Sequence, residues 1–325
     1  MGVKLVQPKF WGKPNVLTKI LYPLSRLYGG LVSFVMAQQK PHKLPIKSLC
    51  VGNLMMGGAG KTPICIAIAE LLRAQNINAH IVFKAYQSTV KQTVFVNDSP
   101  LKPQDIGDEP LMVSQKGIPT WTGPARFDAA MMAYKSGAEL VIFDDGFQDL
   151  RVHTDVRGLI FEPSLTNSHV FPAGPLREPL NKALQRADAL FVDDKYSTYD
   201  LPQSKEIIYY KRLIECDPGF IKESPSLAFC GIGNPNQFEE MLKQNNFNVV
   251  DFIVFPDHYK YRIQDMDYIF NRAKLKKLQI IATEKDSVKI PKNYACQINI
   301  IKLKVQFLDP KKILSWVVKS SKKLK

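Results

Sequence analysis

The chain has 325 residues, 45% of them hydrophobic, with 44 Lys and Arg against 30 Asp and Glu and a formal charge of +14. That length and apolar content can bury a sizeable core and sit where single cores usually divide, so two domains are expected; the positive excess favours anionic partners such as phospholipid headgroups, phosphorylated substrates or nucleic acid. The five cysteines, Cys50, Cys65, Cys216, Cys230 and Cys296, form no Cys-x-x-Cys pair and accompany no signal-peptide cleavage pattern, which argues against a zinc site and a disulfide framework and for the cytoplasmic side.

From Val16 to Met36 the chain is largely apolar, interrupted by Lys19, Pro23, Arg26 and the Gly29-Gly30 pair. A bilayer span needs roughly 20 consecutive apolar residues, and the interruptions leave this segment short of that. Lys9, Lys13, Lys19, Arg26 and Lys40, interleaved with Phe10, Trp11, Tyr22, Tyr28 and Phe34, suit an anionic interface; the alternative is an amphipathic helix packed on the globular body.

Ser48 to Gly52 reads as a short buried strand and Pro63 to Ala74 as a helix apolar on nearly every face. Further strands are expected at Ala79 to Phe83, Leu140 to Phe143, Val156 to Phe161 and Ala189 to Val192, with helices such as Phe127 to Ser136 and Asn181 to Ala187 between them. This alternation predicts an α/β fold with a parallel sheet covered by helices. The polar stretch Asp193 to Ser226, with Pro202, Pro218 and Pro225, is the expected linker. A second alternating run follows: strand Leu227 to Gly231, helix Pro235 to Gln244, strand Val249 to Phe255, helix Gln264 to Lys277 and strand Gln279 to Thr283. Residues 1–40 are therefore read as an N-terminal membrane-associating segment, 41–218 as a P-loop domain with part of the linker, and 219–325 as a smaller α/β domain, ending in a basic tail over Lys319 to Lys325 without fixed structure.

Gly57-Gly58-Ala59-Gly60-Lys61-Thr62 lies between the first strand and a helix, the context of a nucleotide phosphate loop. Glycines let backbone N–H groups turn inward around phosphate oxygens, the helix directs its positive end at the same charge, and Lys61 can bridge the outer phosphates while Thr62 ligates Mg²⁺. Where the usual pattern has an earlier glycine this chain has Met55, so the match is to the Gly-Gly-x-Gly-Lys-Thr variant, and Met55 and Met56 open the nucleotide-binding segment.

The apolar strand Leu140-Val141-Ile142-Phe143 runs into Asp144-Asp145-Gly146, a Walker B arrangement in which carboxylates at a strand end hold the metal. Adjacent strand residues face opposite sides, so one of Asp144 and Asp145 approaches the metal and the other orients the loop. Gly107-Asp108-Glu109-Pro110 supplies another acidic pair before a helix-like run, where helix capping competes with function. Among the five histidines only His258, in Phe255-Pro256-Asp257-His258-Tyr259, sits in an acidic, proline-anchored turn; His42, His80, His153 and His169 read as surface or packing residues.

With these motifs in order, the chain resembles the tetraacyldisaccharide 4'-kinases over nearly its whole length. The resemblance rests on Pro23-Leu24-Ser25 through Tyr28-Gly29, Val51-Gly52-Asn53 leading into the phosphate loop and Pro63, Gly107-Asp108-Glu109-Pro110, and Asp144-Asp145-Gly146-Phe147-Gln148. It continues through Pro172-Ala173-Gly174-Pro175-Leu176-Arg177-Glu178, Gly231-Ile232-Gly233-Asn234-Pro235, Phe255-Pro256-Asp257-His258 and Thr283-Glu284-Lys285-Asp286. It implies two α/β domains closing over ATP and Mg²⁺, an N-terminal membrane-binding helix at the cytoplasmic face of the bacterial inner membrane, and γ-phosphoryl transfer to the 4'-hydroxyl of a tetraacyldisaccharide 1-phosphate lipid. On the same ground Lys61 and Thr62 take the phosphate and magnesium roles, Asp144, Asp145 and Glu109 serve the metal region, Gln148 and Arg177 fall at active-site positions, and Asp108 is the catalytic base with His258 as its partner. Two departures stand out: Lys84-Ala85-Tyr86-Gln87 where the family usually has Arg-Gly-Tyr-Gly, and Asp149 where a His usually follows the Gln. Lys84 keeps a charge but loses the guanidinium fork, and Ala85 resists positive φ.

Two rival readings remain. A membrane-associated ATPase switch shares the phosphate-loop variant, but such proteins usually carry Lys where this chain has Met56; its absence argues against a nucleotide-sandwich dimer and for a monomer. A nucleic-acid-binding protein is suggested by charge alone, without a nucleic-acid motif or basic residues clustered with stacking aromatics.

Overall fold

The computed structural model describes residues 8–56, 60–85, 89–100 and 102–319. Helices α1 (Lys9–Gly12) and α2 (Val16–Ala37) precede β1 (Lys47–Asn53), α3 (Lys61–Arg73), β2 (Ala79–Lys84), β3 (Val94–Phe95), α4 (Pro103–Ile106), α5 (Asp108–Ser114), β4 (Thr120–Gly123), α6 (Arg126–Lys135) and β5 (Leu140–Asp144). The chain continues through β6 (Val156–Ile160), α7 (Leu180–Arg186), β7 (Ala189–Asp193), β8 (Glu206–Glu215), β9 (Ser226–Cys230), α8 (Pro235–Gln244), β10 (Val249–Val254), α9 (Ile263–Lys276), β11 (Gln279–Thr283), α10 (Glu284–Ser287), α11 (Lys292–Ala295), β12 (Asn299–Phe307) and α12 (Pro310–Lys319).

Among the described residues the strands form one twelve-stranded sheet in the order β10-β9-β11-β12-β8-β7-β6-β1-β5-β2-β4-β3. It is parallel except where β3 meets β4 and β8 meets β12. The expected α/β alternation is therefore present, and its cause is visible in burial: β5, β7 and β9 are buried at every position, as parallel strands covered on both faces must be. Each such Val, Leu or Ile contributes about 1.5–3 kcal/mol by leaving water.

The expected linker is not a loop. Its middle is β8, a ten-residue strand paired in parallel with β7 and antiparallel with β12. Its lysine, arginine and glutamates disguise a half-buried alternation in which Ile208 and Tyr210 enter the core, while Pro202, Pro218 and Pro225 flank the strand rather than interrupt it. Strand β12, also unanticipated, buries Ile301, Val305 and Phe307 in the same half-polar manner. After it, α12 returns to the first half, where Ile313, Trp316 and Val317 join the core of α3 and β7. Lys319 closes α12, and the remainder of the expected basic tail lies outside the described residues.

Helix α2 runs unbroken through Pro23. It is long and apolar enough to cross a membrane by length and composition, more than the interrupted sequence suggested. Its polarity is inverted: Thr18, Ser25, Gly29 and Met36 face the protein, whereas Val16, Ile20, Leu24, Leu27, Leu31 and Phe34 are each more than half exposed. An exposed apolar stripe at three- and four-residue spacing marks an interaction surface rather than a core face.

Candidate active site

The site lies beyond the carboxyl ends of β1 and β5, adjacent parallel strands with Val51 in register with Asp144. Gly57, Gly58 and Ala59 lie outside the described residues. Gly60 caps α3 at φ 72°, a left-handed conformation open to glycine at little cost, and Lys61 and Thr62 form the first turn, where orphan backbone N–H groups favour anions. On β1 itself a Cβ at Gly52 would stand 2.1 Å from the Phe147 Cβ, so only glycine lets the loop after β5 close onto β1.

The carboxylates separate by environment. Asp144 accepts a hydrogen bond from the Thr62 hydroxyl at 2.7 Å, and burial pushes its pKa up to about 6 against the opposing pull of Lys61. Asp145, at φ 55°, turns toward cations: Lys61 Nζ is 3.6 Å away and Arg177 Nη1 lies 2.9 and 3.0 Å from its two oxygens. Burial raises its pKa, but Lys61 and Arg177 outweigh it and hold the carboxyl below the ordinary value. Gln148 donates to the Asn53 carbonyl at 3.0 Å and to Glu178 at 3.1 Å, tying β1 to the segment that carries Arg177.

From the second half of the sheet, His258 approaches with Nδ1 2.8 Å from Asp108 Oδ2. Asp108 is buried in the first turn of α5. Burial pushes its pKa up, yet the His258 hydrogen bond and the Lys289 charge hold it below the usual range. The same bond raises His258 despite burial, and His258 sits at φ 56°, a region sparsely used by residues other than glycine. Beside them Glu109 pairs with Lys285 at 2.7 Å, and Lys116, just after α5, pairs with Glu284 of α10. The two elements line one cleft of about 1820 Å³, together with Lys61, Thr62, Asp144 and Asp145.

Of the described residues singled out in the sequence, Met55, Met56, Gly60, Lys61, Thr62, Asp108, Glu109, Asp144, Asp145 and His258 line one cleft, while Arg177 and Gln148 stand behind it, on Asp145 and on the Asn53 carbonyl. Sequence reasoning missed Arg126 and Lys289, and named Lys285 in a motif without giving it a role. Arg126 donates to the Asp145 carbonyl at 2.7 Å and to Asp149 at 3.0 Å, but it stands in no motif. Lys289 reaches Asp286 at 2.8 Å, the Gly231 carbonyl at 3.0 Å and Asp108 at 3.7 Å; its only signal was proximity to Thr283-Glu284-Lys285-Asp286. The unusual Asp149 is clamped by Arg126 and Arg151: burial raises it, and the two guanidinium groups bring it down to about 2. Lys84 is exposed at the end of β2, while Tyr86 and Gln87 lie outside the described residues. Of the remaining histidines, His80 is buried, His42 lies against Phe127 and His169 against Tyr22.

A buried parallel strand, a left-handed glycine cap opening a helix with Lys61-Thr62, and a carboxylate on the neighbouring strand bonded to that threonine define a P-loop nucleotide-binding protein. The family model described as LpxK, tetraacyldisaccharide-1-P 4'-kinase, matches residues 17–322. Tetraacyldisaccharide 4'-kinase of Gluconobacter oxydans (strain 621H) is 32% identical over 315 residues, 94% of each chain, and that of Rickettsia bellii (strain OSU 85-389) is 35% identical over 294 residues, 89% of this chain and 90% of the relative. A crystal structure of LpxK from Aquifex aeolicus, described as an apo form in complex with ATP, superposes with a TM-score of 0.78 at 26% identity, covering 94% of this chain and 99% of the other. The chain belongs to the tetraacyldisaccharide-1-P 4'-kinase family.

Proposed function

We propose that the protein transfers the γ-phosphoryl group of ATP to the 4'-hydroxyl of a tetraacyldisaccharide 1-phosphate in lipid A synthesis, acting as a monomer at the cytoplasmic face of the inner membrane. Family membership supports the reaction, and the observation that carries its assignment to this cleft is the meeting of Asp108 with His258 opposite Lys61, Thr62 and Asp144. The sugar hydroxyl loses its proton to the Asp108 carboxylate as its oxygen bonds to the γ-phosphorus and the bond to the ADP oxygen breaks. His258 orients that carboxylate. Lys61 neutralises charge on the phosphates, and Arg177 fixes Asp145 from the opposite side.

Mg²⁺ fits the donor set. The Thr62 hydroxyl and the Asp144 and Asp145 carboxylates are oxygen ligands of the kind hard cations take, and Thr62 and Asp144 already stand together at 2.7 Å. Among the described residues no group of three His, Cys, Asp or Glu could hold a metal, which suits an ion shared with nucleotide phosphates rather than caged by protein. Thr62, Asp144 and Asp145 would hold it, with Glu109 close enough to act on the charge of Asp144; when bound it neutralises developing phosphate charge. The part built before residue 218, to which β12 and α12 return, and the part built from β9 to β11 act as domains that close over the nucleotide, a reading supported by the Glu109–Lys285 and Lys116–Glu284 pairs between them. The exposed apolar face of α2 supports monotopic or peripheral membrane attachment.

The test is incubation with γ-labelled ATP and a detergent-dispersed disaccharide 1-phosphate lipid. Label recovered at the 4' position is the expected result; lipid-stimulated release of inorganic phosphate without labelled lipid would sink the kinase assignment in favour of an ATPase switch.

A further inference from the structure

The segment 167–179, between β6 and α7, has two covered sides. On its outer side lie α1 and α2. Trp11 Nε1 donates to the Pro172 carbonyl at 3.0 Å, Ser25 donates to the Val170 carbonyl, and Tyr28 meets Phe171 edge-on at 5.5 Å between ring centroids. A Cβ at Gly29 would stand 3.5 Å from Pro179 Cγ and 3.7 Å from Val170 Cγ2. At Gly29 a methyl would make ordinary contacts with Pro179 and Val170, and anything longer would run into them.

On its inner side the same segment holds the reacting site. Met56 donates its N–H to the Pro175 carbonyl at 2.9 Å and Arg177 donates its own to the Leu54 carbonyl at 2.8 Å, while Leu176 bridges Met55. Leu54 to Met56 lead directly into the phosphate loop, and the Arg177 guanidinium grips Asp145. Val170 and Leu176 also pair with each other, so outer and inner contacts are made by one short, self-bonded piece of chain. It has little freedom to yield on one side alone.

We propose that α2 is a positioning element for phosphoryl transfer as well as a membrane-facing helix: through Ser25 and Gly29 it holds segment 167–179, which in turn sets Arg177 on Asp145 and the entry to the phosphate loop. Ser25 and Gly29 are positioning residues, since neither reaches the cleft. The inference rests on the kinase reading for its effect on turnover and on the phosphate loop alone for its effect on nucleotide binding.

Full-length Gly29→Ala, Gly29→Leu and Ser25→Ala proteins test it. Three quantities are measured: turnover on a short-chain disaccharide 1-phosphate that is monomeric in water, the Kd of a fluorescent ATP analogue with and without Mg²⁺, and partitioning onto phosphatidylethanolamine–phosphatidylglycerol vesicles. A bulky side chain at Gly29 must displace Pro179 or Val170, and displacements near 1 Å at a reacting site cost up to about 100-fold. Gly29→Leu is therefore expected to lose about tenfold or more in kcat, with little change in KM for the acceptor, and to weaken nucleotide binding mainly when Mg²⁺ is present. Gly29→Ala, whose methyl meets Pro179 and Val170 at ordinary contact distance, stays near the wild type. Vesicle partitioning stays at the wild-type level because the outward face is untouched. A folded Gly29→Leu protein with wild-type kcat and nucleotide affinity overturns the proposal, as does a loss of turnover that merely tracks weaker vesicle binding. Should Gly29→Leu not fold, Ser25→Ala decides, since it removes one hydrogen bond without adding volume; about a threefold loss supports the idea and wild-type values in both assays reject it. If the wild type labels no acceptor, the kinase reading fails, and the nucleotide affinities alone then decide the positioning role.

Discussion

His258 Nδ1 lies 2.8 Å from Asp108 Oδ2 although 150 residues separate the two in sequence. The bond joins the turn between β10 and α9 to the first turn of α5. If His258 serves to orient the Asp108 carboxylate, the two losses cannot multiply. Asp108→Ala, which removes the proton acceptor, should lower kcat by about 10²–10⁴-fold, and His258→Ala by less. The double variant should then match Asp108→Ala alone, with ATP affinity retained in all three. Independent, multiplicative losses in steady-state kinetics would rule out the pair as a unit.

Lys61 stands 3.6 Å from Asp145 at the opening of α3, with its side chain largely enclosed and its charge turned to that carboxylate. Lys61→Ala should therefore leave the thermal transition near that of the wild type while lowering phosphoryl transfer by at least about 100-fold. A folded variant with near-normal turnover would place the phosphates elsewhere.

The outward face of α2 carries Leu27 at 70% and Leu31 at 60% exposure. Replacing both with Ser removes apolar area without touching Ser25 or Gly29, and should weaken vesicle partitioning by about tenfold or more. Raising salt should weaken wild-type partitioning without abolishing it, because ions screen the Lys and Arg attraction to anionic lipid and leave apolar insertion intact. Sedimentation with vesicles reads both; indifference to the double substitution would mean that another surface meets the bilayer.

His80 is buried and accepts the Trp121 Nε1–H at its Nδ1, 3.0 Å away. Burial pushes its pKa from 6.5 down to about 4. Between those values the unfolded chain takes up a proton that the folded protein refuses, so stability is greatest above pH 6.5 and falls as the pH drops toward 4. Urea midpoints across that range should decline in the wild type and decline less in His80→Gln. A wild-type midpoint flat from about pH 7 to about pH 4.5, or a His80 ring that titrates near 6.5 by NMR, would contradict this account.

Local sequence was enough to set the order of the parts and the chemistry on the nucleotide side of the cleft. Buried strands such as β1, β5 and β9 announce themselves through unbroken apolar runs, and Gly60-Lys61-Thr62 and Asp144-Asp145 are read from their places at the ends of those strands, since backbone direction fixes what a strand end can reach. Through the family resemblance it also suggested Asp108 and His258 as partners. It could not reveal β8 and β12 as strands of the central sheet, because half their side chains are polar and a two-residue period is easily lost among lysines. Which carboxylate bonds Thr62 and which meets Arg177, the bracing of the site by Arg126 and Lys289 without any motif, and the seating of Ser25 and Gly29 of α2 on segment 167–179 became visible only in the folded molecule. Those are contacts between residues distant in sequence, and the free energy that selects them belongs to the packed assembly, not to any local stretch of chain.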